Sequence, residues 1–259
     1  MIEALAMANA RATLHTRRDD TALLREGRVA LMQPYFLPYL GYFQLIAASD
    51  CFVVYDNVQF IKNGWIERNR YLLDGEAKWF GLPLAKDSHS RMIMERQVSP
   101  HFDSASLINR LAFAYRKAPH VTRTLTWLEA LLNLPAHNIA EFNELALRSC
   151  CSLFKLNTPI IRASEWAPSS LSRGQDRVIE VITSVGGTSY LNPAAGGSLY
   201  EAADFAEAGY ALELLKPSLP GYQQHDKPFV PALSILDALM FNELETVSGW
   251  VRQGEILRA

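Results

Sequence analysis

Hydrophobic and polar positions follow two rhythms along the chain. Arg28-Val29-Ala30-Leu31-Met32 is a short apolar run between Gly27 and Pro34. Cys51-Phe52-Val53-Val54-Tyr55 is a second run, dense in β-branched and aromatic residues. Both read as buried strands. Between them lie a loop with two prolines, Gln33 to Phe43, and a stretch of helical character from Tyr42 through Ser49, ending before Asp50. Strand, loop, helix and strand in so short a span make a βαβ unit, which requires a parallel sheet. Tyr71-Leu72-Leu73 and Lys78 to Leu84 flank Asp74-Gly75, the signature of a hairpin. Residues 104–156 read as mainly helical, with an apolar stripe at Leu107, Ile108, Leu111 and Ala114 and two further helices, Leu125 to Leu134 and Ile139 to Phe154. Thr158 to Arg162 reads as a short strand. Arg177 to Val185 is a helix that Gly186-Gly187 terminates. A strand at Ser189 to Asn192, a helix at Glu201 to Ala208, a strand at Tyr210 to Leu215, a proline-rich loop from Pro217 to Pro231 and a closing apolar helix at Leu233 to Phe241 complete the pattern. The expected class is α/β: a Rossmann-like parallel sheet with flanking helices and a helical insertion.

Composition narrows the function classes. Of 259 residues, 49% are hydrophobic and 10% aromatic, enough to build a core. Lys+Arg 25 against Asp+Glu 27 gives a formal net charge of -2, without the basic footprint that nucleic acid requires. Cys51, Cys150 and Cys151 form neither a disulfide framework nor a C-x-x-C structural zinc signature, so they are read as small hydrophobes. No apolar run is long enough to cross a membrane, and no signal-peptide pattern opens the chain. The expected location is the cytoplasm of a bacterium-like cell. Residues 1–27 read as an N-terminal extension, and the body, a single domain, runs from Arg28 over 28–259.

Candidate chemistry gathers in three places. The densest cluster joins Gln33, Tyr35, Tyr39 and Tyr42 to Asp50, Asp56, Gln59, Asn63, Trp65, Asn69 and Arg70. Two loops at the C-terminal ends of adjacent strands, the edge where open α/β sheets bind ligands, would bring these together. The bland reading makes Asp50 and Asp56 turn residues and the aromatics rim packing. The second cluster is Tyr190-Leu191-Asn192 and the Gly-rich turn after it, whose N–H groups suit a phosphate, or which is a plain turn. The third is Tyr222 and His225 on the long loop before Pro231, a pattern typical of binding loops. Asp237, within an apolar run, either orients a loop or faces a ligand. No Ser-His-Asp or Cys-His arrangement and no well-placed carboxylate pair emerges from spacing.

The run Met32-Gln33-Pro34-Tyr35-Phe36-Leu37-Pro38-Tyr39-Leu40-Gly41-Tyr42-Phe43-Gln44-Leu45-Ile46, with Asp50, Val54 to Phe60, Gly64-Trp65 and Arg68-Asn69-Arg70, closely resembles the WbqC-like protein family. The resemblance covers residues 28–245 and departs at Asn192-Pro193, where the family pattern has Ser-Gly. It implies a place in the biosynthesis of bacterial O-antigen and other surface glycans, or of small molecules. A weaker likeness is to nucleotidylyltransferase-type enzymes, with pantothenate synthetase the nearest analogue. There an H-x-G-H motif stands where this chain has Tyr39-Leu40-Gly41-Tyr42. Tyrosine carries no positive charge at neutral pH, which argues against ordinary adenylyl transfer. Pathway context and the strand-end pocket together imply acyl or aminoacyl transfer to an amine, such as that of a nucleotide-linked amino sugar. In that reading Gln33, Tyr35, Tyr39 and Tyr42 line the pocket, and Tyr42, Asp56 and Gln59 carry the chemistry, Asp56 and Gln59 by orienting the acceptor. Asn69 and Arg70 hold an anionic donor, and Asn63, Trp65, Tyr190, Asn192, Tyr222 and His225 complete the binding set. A donor on a phosphopantetheine arm of an acyl or peptidyl carrier protein would fit. The alternatives are an ATP/Mg-dependent ligase and a non-catalytic binding or scaffolding subunit.

Overall fold

The computed structural model describes residues 23–88, 90–167 and 172–259. The N-terminal extension up to residue 22 therefore lies outside the described residues. From Leu24 onward the chain is already docked: the Leu24 amide donates to the Val185 carbonyl at 2.9 Å and the Gly27 amide to Thr188 Oγ1 at 3.2 Å. The body thus starts before Arg28.

Six strands form the main sheet: β1 (Arg28–Met32), β2 (Cys51–Val54), β5 (Ile160–Arg162), β6 (Ser189–Pro193), β7 (Ala211–Lys216) and β8 (Glu255–Arg258). Their spatial order is β5-β2-β1-β6-β7-β8, all parallel except β8. This is a Rossmann-like α/β arrangement, with the strand order reversing between β1 and β6. In such sheets the crevice outside the carboxyl ends of the strands at this reversal is where ligands lodge. A separate two-stranded hairpin, β3 (Arg68–Leu73) and β4 (Glu76–Gly81), turns at Asp74-Gly75 with φ of 52° and 82°. Two positive φ values are what a two-residue hairpin turn matching strand twist needs, and Asp-Gly supplies them.

Strand alternation divides the interior in two. Ala30, Phe52, Val54, Ile160 and Leu191 face α1 (Leu40–Ala48), the hairpin and the helical insertion of α2 (Ser104–Ala114), α3 (Val121–Leu132) and α4 (Ile139–Leu153). Val29, Leu31, Val53 and Tyr190 face α5 (Ala163–Trp166), α6 (Gly174–Val185) and α7 (Ala202–Glu207). Gly186, in the left-handed region at φ 83°, ends α6. The three cysteines are buried and free, and burial raises all three thiols, those of Cys51 and Cys151 to about 12.

After α8 (Ile235–Phe241), two elements follow that the apolar pattern does not announce: α9 (Leu244–Trp250) and the edge strand β8. Seven residues are too few to display helical periodicity. All four residues of β8 are exposed, so it carries no buried-face alternation. No helix among the described residues is long and apolar enough to cross a membrane.

Candidate functional site

The loop that leaves β1 is fixed from three directions. Trp65 accepts from the Phe36 amide at 3.0 Å through its carbonyl. The Asn69 side-chain amide donates to the Phe36 and Leu37 carbonyls at 3.1 and 2.6 Å. Ser234 donates through Oγ to the Leu37 carbonyl at 2.7 Å and through its amide to the Arg70 carbonyl at 3.0 Å. Leu37 has φ 44°, a strained setting for a leucine, and these bonds hold it. The loop therefore sits rigidly at the carboxyl end of β1, pressed by the hairpin and the N-terminus of α8.

On this frame the aromatic rings form a continuous ledge. Tyr35 lies 6.4 Å from Tyr39, 5.8 Å edge-on from Tyr42 and 5.4 Å from Trp65, and Trp65 lies 5.1 Å from Trp79, centroid to centroid. The Arg70 guanidinium sits 5.5 Å over Trp65, and that of Arg68 4.2 Å over Trp79. Arg70 donates to the Ala232 carbonyl at 3.3 Å, while its Nε is buried without a hydrogen-bond partner. No carboxylate among the described residues pairs with either arginine. The ledge thus offers ring faces and positive charge together, which suits an anionic ligand with an apolar or sugar face.

The two tyrosines of Tyr39-Leu40-Gly41-Tyr42 serve different ends. Tyr39 folds over Gly41, where a Cβ would stand 2.5 Å from its Cε2. Tyr42 is buried, and its hydroxyl donates to the Gln33 carbonyl at 2.9 Å. Burial raises the pKa of Tyr35, Tyr39 and Tyr42 above the usual phenol value, so all three hydroxyls are neutral at physiological pH. Tyr42 acts on the ledge only through the backbone it holds. Asn69, fully buried, likewise acts from behind: its Oδ1 accepts from the Arg70 amide at 2.7 Å. Gln33 is half-buried at the end of β1, and Asn63 lies exposed at the far end of the ledge, in a left-handed turn that Arg68 grips through the Asn63 and Gly64 carbonyls.

The remaining predicted residues fall elsewhere. Asp56 is buried and caps α5: Oδ1 accepts from the Ser164 amide at 2.9 Å and Oδ2 from Ser164 Oγ at 2.6 Å. Burial raises its pKa above the ordinary carboxylate value, opposed by those bonds. Gln59 is exposed, in a bridge with Met92. Tyr190 and Asn192 lie on the opposite face of the sheet, toward α6 and α7. There the Tyr190 hydroxyl contacts Asn192 Oδ1 at 3.1 Å and the Tyr200 hydroxyl at 3.3 Å. The turn after Asn192 is a 3-10 helix, Ala194–Leu199.

Tyr222 reaches Asp237, behind β3, and His225 lies on the same loop against Phe241. The buried Asp237 carboxylate accepts from Tyr115 at 2.9 Å, Tyr222 at 2.7 Å and the Gln224 amide at 2.5 Å. Burial raises it to about 6 despite three donors. Asp237 therefore orients the loop, and His225, at φ 51°, packs edge-on against Phe241. Trp79, an amphipathic aromatic able to stack on a sugar face, and Arg68, part of the motif that carries the family resemblance, complete the ledge. The two-residue turn was their signal, because it fixes Arg70 opposite Trp79.

Known proteins bear on this arrangement. The uncharacterized protein Rv1507c of Mycobacterium tuberculosis is 27% identical over 220 residues, which cover 83% of this chain and 93% of that protein. No solved structure matches the chain. Residues 33–248 match the WbqC-like protein family, a span that contains the β1 loop, the hairpin ledge and the Asp237 knot. The chain belongs to the WbqC-like protein family.

Proposed function

We propose that the chain is a bacterial biosynthetic enzyme that transfers an acyl or aminoacyl group to an amine, such as that of a nucleotide-linked amino sugar, in surface-glycan or small-molecule pathways. The observation that carries this reading is the aromatic ledge with two arginines unpaired by carboxylate, at the carboxyl end of β1. Tyr35, Tyr39 and Trp65 offer ring faces to a sugar or to a donor's apolar arm. Arg70 binds phosphate, and Gln33 and the Tyr35 hydroxyl lie nearest the reacting centre. With a thioester donor the amine nitrogen attacks the carbonyl carbon. The C–N bond forms, the C–S bond breaks, and the departing thiolate takes up the proton that the amine releases. Thiolate is a good leaving group, so neutral tyrosines and an arginine suffice where no strongly basic side chain faces the pocket. Tyr42, Asn69 and Asp56 are positioning residues in this scheme. Tyr42 and Asn69 fix the β1 loop, and Asp56 fixes the turn beyond β5.

The test is a thermal-shift screen of the purified chain with coenzyme A, nucleotide-linked amino sugars, uncharged sugars and ATP with Mg²⁺. A ligand at about 100 times its dissociation constant adds about 2.7 kcal/mol of stability. Shifts with coenzyme A or a nucleotide-linked amino sugar, lost in Arg70→Ala, are expected. A shift with ATP alone would replace the transfer reading with an ATP-dependent ligase, and tight sugar binding without any turnover would replace it with a binding subunit.

A further inference from the structure

The ledge continues outward past the pocket. Beyond Trp65 and Trp79 lie Ile61 and Met92, and these four large apolar side chains are 40%, 48%, 57% and 43% exposed respectively. They form one surface: the Gly64 amide closes a turn on the Ile61 carbonyl at 3.4 Å, Arg68 ties that turn to Trp79, and the bridge between Gln59 and Met92 brings the second segment alongside. Lys62 and Arg68 stand on this surface, and no carboxylate among the described residues pairs with either. By contrast Lys78 pairs with Glu76 at 2.6 Å, and Arg91 lies 3.4 and 3.5 Å from Asp87 and Glu95. An apolar strip carrying uncompensated positive charge, next to charges that are already paired, is complementary to an acidic amphipathic surface.

We propose that the strip formed by Ile61, Trp65, Trp79 and Met92, with Lys62 and Arg68, docks an acidic amphipathic helix of a partner protein that delivers the donor to the neighbouring pocket. This rests on the reading that the donor is carried on a phosphopantetheine arm. The Tyr35 ring lies 5.4 Å from that of Trp65, tilted by 40°, so a tethered group docked on the strip reaches Tyr35 without crossing the protein. A bilayer is the less suitable occupant. The tryptophans are half-buried against other rings rather than projecting toward a lipid surface.

The test uses the full chain and an acidic acyl carrier protein as the probe, in holo and apo forms, titrated calorimetrically. Binding of the holo form with a dissociation constant on the order of 10 μM at low ionic strength is expected, weakening at least tenfold at about 0.3 M salt. Ile61→Ser and Lys62→Glu, two exposed residues of the strip, are each expected to weaken it about tenfold and to leave thermal shifts with coenzyme A or nucleotide-linked amino sugars unchanged. Absence of carrier binding at low salt, or binding indifferent to both variants, overturns the docking proposal. So does co-sedimentation with phosphatidylglycerol vesicles through the same two residues in place of carrier binding. Carrier binding with no small-molecule shift and no acyl transfer from the loaded carrier to any amine leaves the docking surface standing and removes the transfer reading, so the two failures are distinct.

Discussion

The ledge at the end of β1 and the knot around Asp237 are built from the same residue types, tyrosines with a few polar groups, yet they end in opposite states. Around Asp237 every strong donor is matched: Tyr115, Tyr222 and Gln224 converge on one carboxylate, and Tyr115 also accepts from the Leu72 amide at 2.9 Å. On the ledge the rings touch one another through their faces and edges, and the cations above them meet no carboxylate among the described residues. A buried polar group left unmatched costs about 1–3 kcal/mol, so the knot closes on itself. A half-exposed ring bears no such cost, and of the Arg70 guanidinium only the buried Nε does, so both stay available for a ligand. Satisfied polar groups indicate structure, and unsatisfied, partly exposed ones indicate binding. The same contrast separates Asp56, spent on Ser164, from Arg70.

The largest expected effect breaks the knot. Asp237→Ala leaves three donors without an acceptor and is expected to cost about 3 kcal/mol, read as a lower urea midpoint. A ledge independent of the knot would keep its ligand affinity in the folded fraction. Next comes pH. Asp237 is raised from 3.8 to about 6, so the folded chain binds its proton more tightly than the unfolded chain. Its contribution to stability is full below about 3.8 and is lost as pH rises through about 6, roughly 3 kcal/mol in total. Urea titrations across that window should show wild type losing this increment on going to neutral pH, and Asp237→Asn should not follow it.

Smaller changes sharpen the ledge side. Arg70→Ala should weaken an anionic ligand about tenfold, or about 1.4 kcal/mol, while moving Tm by no more than about 2 °C. If affinity held and stability fell instead, Arg70 would belong with the knot. Tyr42→Phe removes one hydrogen bond to the Gln33 carbonyl, worth about 1 kcal/mol of stability, and should lower turnover by freeing the β1 loop. Gly41→Ala has the smallest effect. Its Cβ displaces only the far end of the Tyr39 side chain, so a few-fold loss of affinity with little change in Tm is expected.

The local signals translated well where physics is local. The apolar runs at 28–32 and 51–55 became β1 and β2, with β2 ending one residue earlier at Val54. Asp74-Gly75 set the hairpin, and Gly186 ended α6. Candidate residues were harder. Gln33, Tyr35, Tyr39, Trp65 and Arg70 are neighbours because one loop and one hairpin meet. Tyr190 and Asn192, on a strand adjacent to β1, turned to the other face of the sheet. Adjacency of strands is legible in a βαβ pattern, but the face each side chain takes depends on the register between strands. Asp237 stayed ambiguous in sequence because its partners lie 122, 15 and 13 residues away.

By itself the sequence determined the alternation of strands and helices, the α/β class, the hairpin register and the family, because these depend on periodicity, turn chemistry and a contiguous motif. Tertiary structure alone decided which polar groups are consumed and which remain open. Asp56 and Asn69 were drawn inward because strand ends and strained turns needed their oxygens and amide. Arg68 and Arg70 were left over aromatic faces because no carboxylate among the described residues pairs with either. Matching of donors to acceptors is a property of three-dimensional proximity, and no spacing along the chain encodes it.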